Sequence, residues 1–548
     1  MTMIDGYQDY MMESIKLVEE KREKNMSASI KPMSMEERDK ILREYHPDYM
    51  ENTKKILRIG VDKGQQIYNG IVDLLEAKSV LKPKDVDLSK IDYDVDILII
   101  GGGGAGTVAA LFAYESGVPK EKILIATKLR HGDANSMMAQ GGIQAADRPN
   151  DSPVLHYLDI YGGGHFTNKS DLVRALALDA PKIISWHEHL GVMYDRQEDG
   201  EFQELSGGGT CRNRMHSAKD YTGMELLRAI RDTSRNLQIP VLEFCPIIEL
   251  LMDNKGQVAG GVAFNIETYE YYIIRAKATI LATGGSGRLH LANYPTTNHY
   301  GATGDGLVMA YHVGVNLLDL DTIQIHPTGD AYPEPLVGVL STEKIRGLGA
   351  RPINKDGDTF VFPLEPRDVE SASFIRECKQ GKGIITPTGM PGVWLDSPMI
   401  DIIHGSGTIE KKLAGEVRKF KRFGIDMTKH PILVYPTLHY QNGGVEINER
   451  TETKVSGLFA AGEVTGGVHG KNRLMGNSLL DYNVFGRRAG IYAAEFVKKA
   501  KIGKLTLDHI DTYNKALEKA HIQSMKTAPI LLPEYRGEMA ISRALDIF

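Results

Sequence analysis

Cysteine is scarce in this sequence. There are three in 548 residues, Cys211, Cys245 and Cys378, far apart and with no CxxC pair. That argues against a disulfide framework, a zinc knuckle and an iron–sulfur cluster held by this chain, so no metal site is expected. A cluster that trades single electrons with the chain would sit on another polypeptide. Long hydrophobic runs are missing too: none approaches the roughly 18 residues of a membrane span. The N-terminal stretch MTMIDGYQDYMMESIKLVEEKREKN is charged and has no apolar core of the kind a signal peptide carries. A cytoplasmic protein is expected. Nor is there an excess of basic charge; the formal net charge of −6 gives no nucleic-acid footprint.

What is present describes a globular α/β protein of two or three domains. Residues 1–92 read as a polar, helical N-terminal extension. Both MEERDKILREYH and GQQIYNGIVDLLEAKSVL carry apolar residues three and four apart. The extension ends in the Pro- and Asp-rich connector LKPKDVDLSKIDYD and suits an arm wrapping its own domain or a partner subunit. The character then changes. VDILII at 95–100 is a continuous apolar run of the kind a buried parallel strand shows. Glycines follow, then the small-residue helix TVAALFAYESG and a second apolar strand, KILIAT. Residues 325–437 hold the most loop-like sequence, and the last 58 residues look helical.

The strongest local motif is Gly101-Gly102-Gly103-Gly104-Ala105-Gly106, a GxGxxG formed by Gly101, Gly103 and Gly106. It follows a buried strand and opens a helix, the context in which such glycines make the tight turn, admit a pyrophosphate and let helix and sheet approach. A plain NAD site would end the second strand on an acid. Here the strand ends Ala126-Thr127-Lys128, which favours a flavin-type dinucleotide. Two further glycine clusters point the same way. ATILATGG at 278–285 is a strand running into paired glycines. GLFAAGEV at 457–464 is another, with Glu463 placed to hold ribityl or ribose hydroxyls. Gly476, Asn477, Ser478 and Leu479 then open a helix whose N–H groups would face a flavin ring.

In this order the motifs NSMMAQGGIQAA, ATGDGLVMAYHVG, IQIHPTG, LSTEKIRGLGA, EPRD, YPTLHYQNGG and GLFAAGEVTGGVHGKNRLMGNSLL resemble the flavoprotein subunits of fumarate reductase and succinate dehydrogenase, with L-aspartate oxidase as a relative. The resemblance implies a Rossmann-like FAD-binding domain, 93–324 plus 438–490, interrupted by a capping domain at 325–437. A short helical C-terminal segment, 491–548, follows. It implies FAD contacts from Gly101, Gly103, Gly104, Ala105, Gly106, Thr127 and Lys128, from Asn135, Ser136, Ala139, Gln140, Gly141 and Gly142, and from Ala282, Thr283, Gly284, Asp305, Glu463, Asn477, Ser478 and Leu479. It further implies a dicarboxylate clamp of His326, Thr342, His439 and Arg473, a proton donor Arg367, and a relay through Glu343 and Arg346. A guanidinium is a weak acid, with a pKa above about 12, so Arg367 can serve only if its proton is replaced at once. Fumarate and succinate are the implied substrates, with an iron–sulfur subunit, within a larger redox complex, as electron partner.

The sequence also departs from the family. The flavin-linking histidine of membrane-bound members, six residues before the paired glycines, is Asn135 here, and His131 is not expected to replace it; FAD is expected to be non-covalent. L-aspartate oxidase has a glutamate where this chain has Gly207, with Glu204 three residues away, so a substrate ammonium lacks its counter-charge. The family's RGEG is RGLG, with Leu348 in place of the glutamate. The alternatives are an L-aspartate oxidase-like enzyme, a relative acting on another unsaturated acid, and a non-catalytic FAD electron-relay subunit.

Overall fold

The computed structural model describes residues 6–524 and 526–533. The chain opens with helices α1 (Asp9–Ser27) and α2 (Met35–Tyr45). A capping box starts α2: Ser34 Oγ accepts from Glu37 N–H, and Glu37 Oε2 from Ser34 N–H at 2.7 Å. The second stretch expected to be helical is only partly so. Asn69–Leu75 is a helix, but Gln66–Tyr68 pairs antiparallel with Lys54–Ile56, and Lys78–Ser79 pairs parallel with Thr527–Ala528. The reversal at Gly64, with φ of +99°, allows the hairpin, and Tyr68 donates its hydroxyl to Asp48 Oδ1 at 2.6 Å. Tertiary contact thus overrides the helical spacing.

The apolar run forms β1 (Tyr93–Ile100), followed by α3 (Gly104–Glu115) and β2 (Ile123–Ala126). β1 and β2 are parallel, Ile97 opposite Ile123 and Ile100 opposite Ala126. A meander follows: β3 (Ile247–Asp253), β4 (Val258–Phe264) and the long β5 (Tyr271–Leu281). Helix α4 (Asp305–His312) precedes β6 (Gln324–Asp330). Then come α5 (Arg367–Lys379), β7 (Pro391–Leu395), β8 (Ile432–Tyr440), β9 (Leu458–Ala460) and α6 (Asn477–Val497).

These strands build two main sheets. In the larger, β5 lies parallel to β1 along one edge. Its other edge pairs antiparallel with β4 and, further along, parallel with β9. The C-terminal ends of β1, β2, β5 and β9 therefore point the same way, and the glycine turns after them converge. In the smaller sheet the order is β6, β8, β7 and Pro352–Ile353. It has its own core around Trp394, Phe374 and Phe420. The loop-like stretch 325–437 holds most of this sheet. The junctions at 324/325 and 437/438 fall within β6 and β8, whose register sets Gln324 opposite Tyr440 and His326 opposite Thr437.

The N-terminal arm wraps its own chain. Met11, Ile15 and Val18 of α1 are fully buried in the smaller sheet's core, at roughly 1.5–3 kcal/mol each for the apolar burial. Trp394 donates its indole N–H to Ser14 Oγ, 2.9 Å, and Arg22 grips Asp396 at 2.9 and 3.0 Å. Ile41 and Leu42 of α2 lie on Val369 and Ala372 of α5. The C-terminal segment contains a helix, Asp508–Lys519, flanked by the short strands Leu505–Thr506 and Thr527–Ala528; the rest of the expected helical tail, 534–548, lies outside the described residues. Among the described residues no helix is long and apolar enough to cross a membrane.

Candidate active site

The convergent turns enclose a cavity of about 360 Å³, within the size of a small-molecule or cofactor site. Gly101, Gly103, Gly104, Ala105, Thr127, Lys128, Asn135, Ser136, Ala139, Gln140, Ala282, Thr283, Gly284, Asp305, Glu463, Ser478 and Leu479 all line it. Gly106, Gly141, Gly142 and Asn477 do not. Gly106 serves the close approach of helix and strand: a Cβ there would stand 1.9 Å from the Gly101 carbonyl oxygen. Gly101 has φ of +116°, and a Cβ on it would strike Ala282 O at 2.2 Å. Asn477 turns its side chain to His156, 3.2 Å away, although the helix it begins presents Ser478 and Leu479 to the cavity. At Gly141 a Cβ would meet Met475 and come within 3.8 Å of Thr342 Oγ1.

The cavity fits a dinucleotide with many hydroxyls. Thr283 Oγ1, Gln140 Oε1 and Tyr482 Oη are buried on its wall without hydrogen-bond partners. Glu463 sits where β9 ends. Burial raises its carboxyl, partly offset by Asn135, whose Nδ2 donates to it at 3.1 Å. Asn135 also donates to Asn298 Oδ1 at 2.7 Å and accepts from His299 N–H at 2.6 Å, so its amide is held on three sides. Lys128 is not free for a phosphate: its ammonium meets Asp305 at 2.5 Å and Thr303 Oγ1 at 2.7 Å. His131 is buried against Thr107 Oγ1 at 3.0 Å, and burial holds its pKa down to about 4.

The clamp residues gather between the two sheets. His326 on β6 and His439 on β8 have ring centroids 5.0 Å apart, and His439 also lines the cavity. Burial, then the nearby Arg367 charge, keeps both imidazoles well below their ordinary pKa and therefore neutral. Thr328 N–H donates to His326 Nδ1, 3.2 Å, which leaves the proton on Nε2. Thr342 is buried, its N–H donating to Glu416 Oε1 at 3.2 Å. Arg473 lies 4.3 Å over the Tyr440 ring.

Two buried guanidiniums share one neutral acceptor. Arg473 Nη2 donates to Gln324 Oε1 at 2.7 Å, and Arg367 Nη1 donates to the same oxygen at 3.0 Å. Among the described residues no carboxylate lies within ion-pair distance of Arg473, and its Nε has no hydrogen-bond partner. Burial, with the Arg367 charge beside it, pulls the Arg473 pKa down to about 9. A buried charge without a counter-ion is costly, so the site is built for an anion. Arg367 does have a partner: its Nε donates to Glu343 Oε2 at 2.7 Å. Arg346 approaches the same oxygen at 3.5 Å and meets Glu370 through its Nη1. Burial pushes the Glu343 carboxyl up, but Arg367 and Arg346 outweigh it and hold it below the ordinary range.

Gln324 was absent from the residues expected at the site. Its signal was available: it stands two residues before His326, on the same face of a strand. Glu204, three residues before Gly207 in the sequence, meets His216 at 3.7 Å and Arg148 at 3.8 Å, whereas Gly208 N–H donates to Glu343 Oε1 at 2.9 Å.

The FAD binding domain family matches residues 96–479. An uncharacterised FAD-dependent oxidoreductase of Methanocaldococcus jannaschii is 40% identical over 442 residues, 79% of this chain and 77% of that protein. One subunit of the fumarate reductase (CoM/CoB) of Methanothermobacter marburgensis is 39% identical over 414 residues, 74% of this chain and 73% of the relative. Among solved structures, a point-mutant FrdA chain of Escherichia coli quinol fumarate reductase superposes with a TM-score of 0.70 at 33% identity, over 78% of this chain and 74% of that one. The family model and these relatives make the chain a member of the FAD-binding oxidoreductase family of fumarate reductase and succinate dehydrogenase flavoprotein subunits.

Proposed function

We propose that the chain is the catalytic flavoprotein subunit of a cytoplasmic fumarate reductase/succinate dehydrogenase. The observation that carries this reading is Arg473, buried and, among the described residues, without a carboxylate at ion-pair distance, sharing Gln324 with Arg367. One carboxylate of fumarate or succinate would complete Arg473 through the guanidinium fork. Neutral His326 and His439, with Thr342, would take the rest of the dianion by directed hydrogen bonds and add no charge. Holding one carboxylate twisted out of conjugation polarises the double bond. Bound FAD would supply the hydride donor or acceptor at N5. Arg367 would give the proton to the substrate carbon in reduction and take it back in oxidation, with Glu343 and Arg346 refilling it.

Residues 93–324 and 438–490 form the FAD-binding domain in this reading, and 325–437 the cap, with the arm at 1–92 and the C-terminal segment at 491–548. The electron partner is an iron–sulfur subunit, in keeping with relatives named as subunits and with the three scattered cysteines here. Asn135 stands where a linking histidine would be, and an amide nitrogen is no nucleophile, so FAD is held non-covalently. Acid precipitation is expected to release the flavin into the supernatant; flavin that remained on the denatured chain would overturn this assignment.

The function is tested anaerobically, by reducing the flavoprotein chemically and following flavin absorbance. Fumarate is expected to reoxidise it rapidly, and L-aspartate is expected not to reduce the oxidised form. Reduction by L-aspartate would move the protein to the oxidase branch. No response to either would mean that the clamp takes another acid or none.

A further inference from the structure

Directly after the Gly141–Gly142 turn, three short strands form a small sheet: Ile143–Gln144, Met215–His216 and Glu204–Leu205. The register sets His216 opposite Ile143 on one side and opposite Glu204 on the other. Residues directly opposite in an antiparallel pair share a face, so His216 and Glu204 meet. Asp147, three residues beyond Gln144, joins them. One ligand atom from each of Asp147, Glu204 and His216 lies within 4.8 Å of the others. The scarcity of cysteine argues against thiolate metal sites, and this set needs no thiolate.

The imidazole is arranged to accept an ion. His216 is buried, and its Nδ1 stands 3.1 Å from the Arg214 carbonyl oxygen. A carbonyl only accepts, so Nδ1 carries the proton and, in the neutral ring, Nε2 is a bare lone pair. That lone pair faces Asp147 Oδ2 at 3.1 Å and Glu204 Oε1 at 3.7 Å. Three electron-rich atoms this close call for a positive charge among them. A second ring proton fills that place poorly: Nε2 is out of line to donate to Asp147 and has no hydrogen-bond partner among the described residues. Asp147 Oδ1 and Glu204 Oε1 are also buried and without partners. Arg148 Nε lies 3.8 Å from Glu204 Oε1, but its Nη1 is taken by Glu201 and its Nη2 by the Phe202 carbonyl. Phe202 and Tyr194 meet the His216 ring edge-on, with centroids at 5.1 and 5.9 Å, and fix its direction.

We propose that Asp147, Glu204 and His216 form a binding site for one divalent transition ion of the zinc class, with water as the fourth ligand. Metal–ligand bonds of about 2.1 Å at tetrahedral angles put ligand atoms about 3.4 Å apart. The separations of 3.1 and 3.7 Å bracket that distance. Two carboxylates balance the ion's charge. The imidazole favours zinc over magnesium or calcium, which take oxygen ligands. Asp147 and Glu204 keep an edge on solvent, which gives the ion a way in and the water its place. The ion braces a sheet that reaches both parts of the active site. Gln144 Nε2 donates to the Met475 carbonyl at 2.6 Å, and Gly208, four residues after Glu204, holds Glu343. Neither the fumarate reading nor the role of Arg367 is needed for it.

The test uses the full-length flavoprotein, stripped with EDTA and dialysed against Zn²⁺, Mn²⁺ or Mg²⁺. Bound metal per chain is measured by elemental analysis, alongside the thermal midpoint. One Zn²⁺ per chain is expected, with weaker binding of Mn²⁺ and no Mg²⁺ retained. Zn²⁺ should raise the midpoint of the parent protein. His216→Gln and Asp147→Asn should each weaken Zn²⁺ binding by more than about 100-fold, beyond the roughly 10- to 100-fold that an outer hydrogen-bond partner carries. Retained flavin shows that a variant is folded; if His216→Gln loses its flavin, Asp147→Asn, at the edge nearer solvent, carries the test. A parent protein that holds no stoichiometric Zn²⁺ at micromolar free ion would overturn the proposal. Parental Zn²⁺ affinity in the folded variants would overturn it too, because the ion would then lie elsewhere.

Discussion

Arg367→Ala is expected to stop dicarboxylate turnover, with a loss of about 10²–10⁴-fold in kcat, while FAD remains bound. Two features of the site set this size. The guanidinium is held at 2.7 Å by the Glu343 carboxylate, and burial followed by the Arg346 charge works against Glu343 to lower its pKa from the ordinary value. A lowered pKa makes a brief proton loss feasible; the adjacent acid makes refilling fast. Arg367→Lys should fare little better, because an ammonium cannot donate to Gln324 and Glu343 in one plane. FAD retention follows from position, since Arg367 does not line the dinucleotide cavity. The checks are stopped-flow reoxidation by fumarate and the flavin-to-protein ratio. Near-normal reoxidation would remove Arg367 as the donor.

The second large effect is on binding. Arg473→Ala should weaken fumarate or succinate by about 2–5 kcal/mol, or about 30- to several-thousand-fold in Kd, the scale for losing one partner of a buried charge pair. An exposed arginine would give about 0–1 kcal/mol, so the measurement decides whether this one binds the dianion. The ligand-free protein should respond in the opposite direction. Arg473 is buried and, among the described residues, has no carboxylate at ion-pair distance, so Arg473→Met should leave thermal stability unchanged or raise it. Weakened binding with unchanged or raised stability marks a group kept for the ligand. Lowered stability with unaltered binding would make Arg473 a structural residue.

Motifs carried by short-range geometry were legible along the chain. The strand–glycine–helix unit at 95–115 depends on neighbours in sequence, and the backbone at Gly101 and Gly106 has the conformation and close contacts that such glycines serve. Asn135, Ser136, Ala139 and Gln140 reach the same cavity because their motif forms a single turn against it. The arm was harder. Residues 64–81 carry helical spacing and Asn69–Leu75 is a helix, but pairing with Lys54–Ile56 and Thr527–Ala528 makes its flanks Gln66–Tyr68 and Lys78–Ser79 into short strands.

By itself the sequence determined the dinucleotide unit, the absence of a cluster-binding cysteine set, and a membership legible in seven motifs between residues 135 and 480. Those features are local, or lie in residue types that survive without knowledge of contacts. The tertiary structure alone decided that Gln324 joins Arg367 to Arg473, that Lys128 is taken by Asp305, and that Glu370 meets Arg346. Each is a meeting of charged or polar groups distant along the chain, and its energy depends on burial and on a few ångströms of separation, quantities that exist only once the two sheets close on each other.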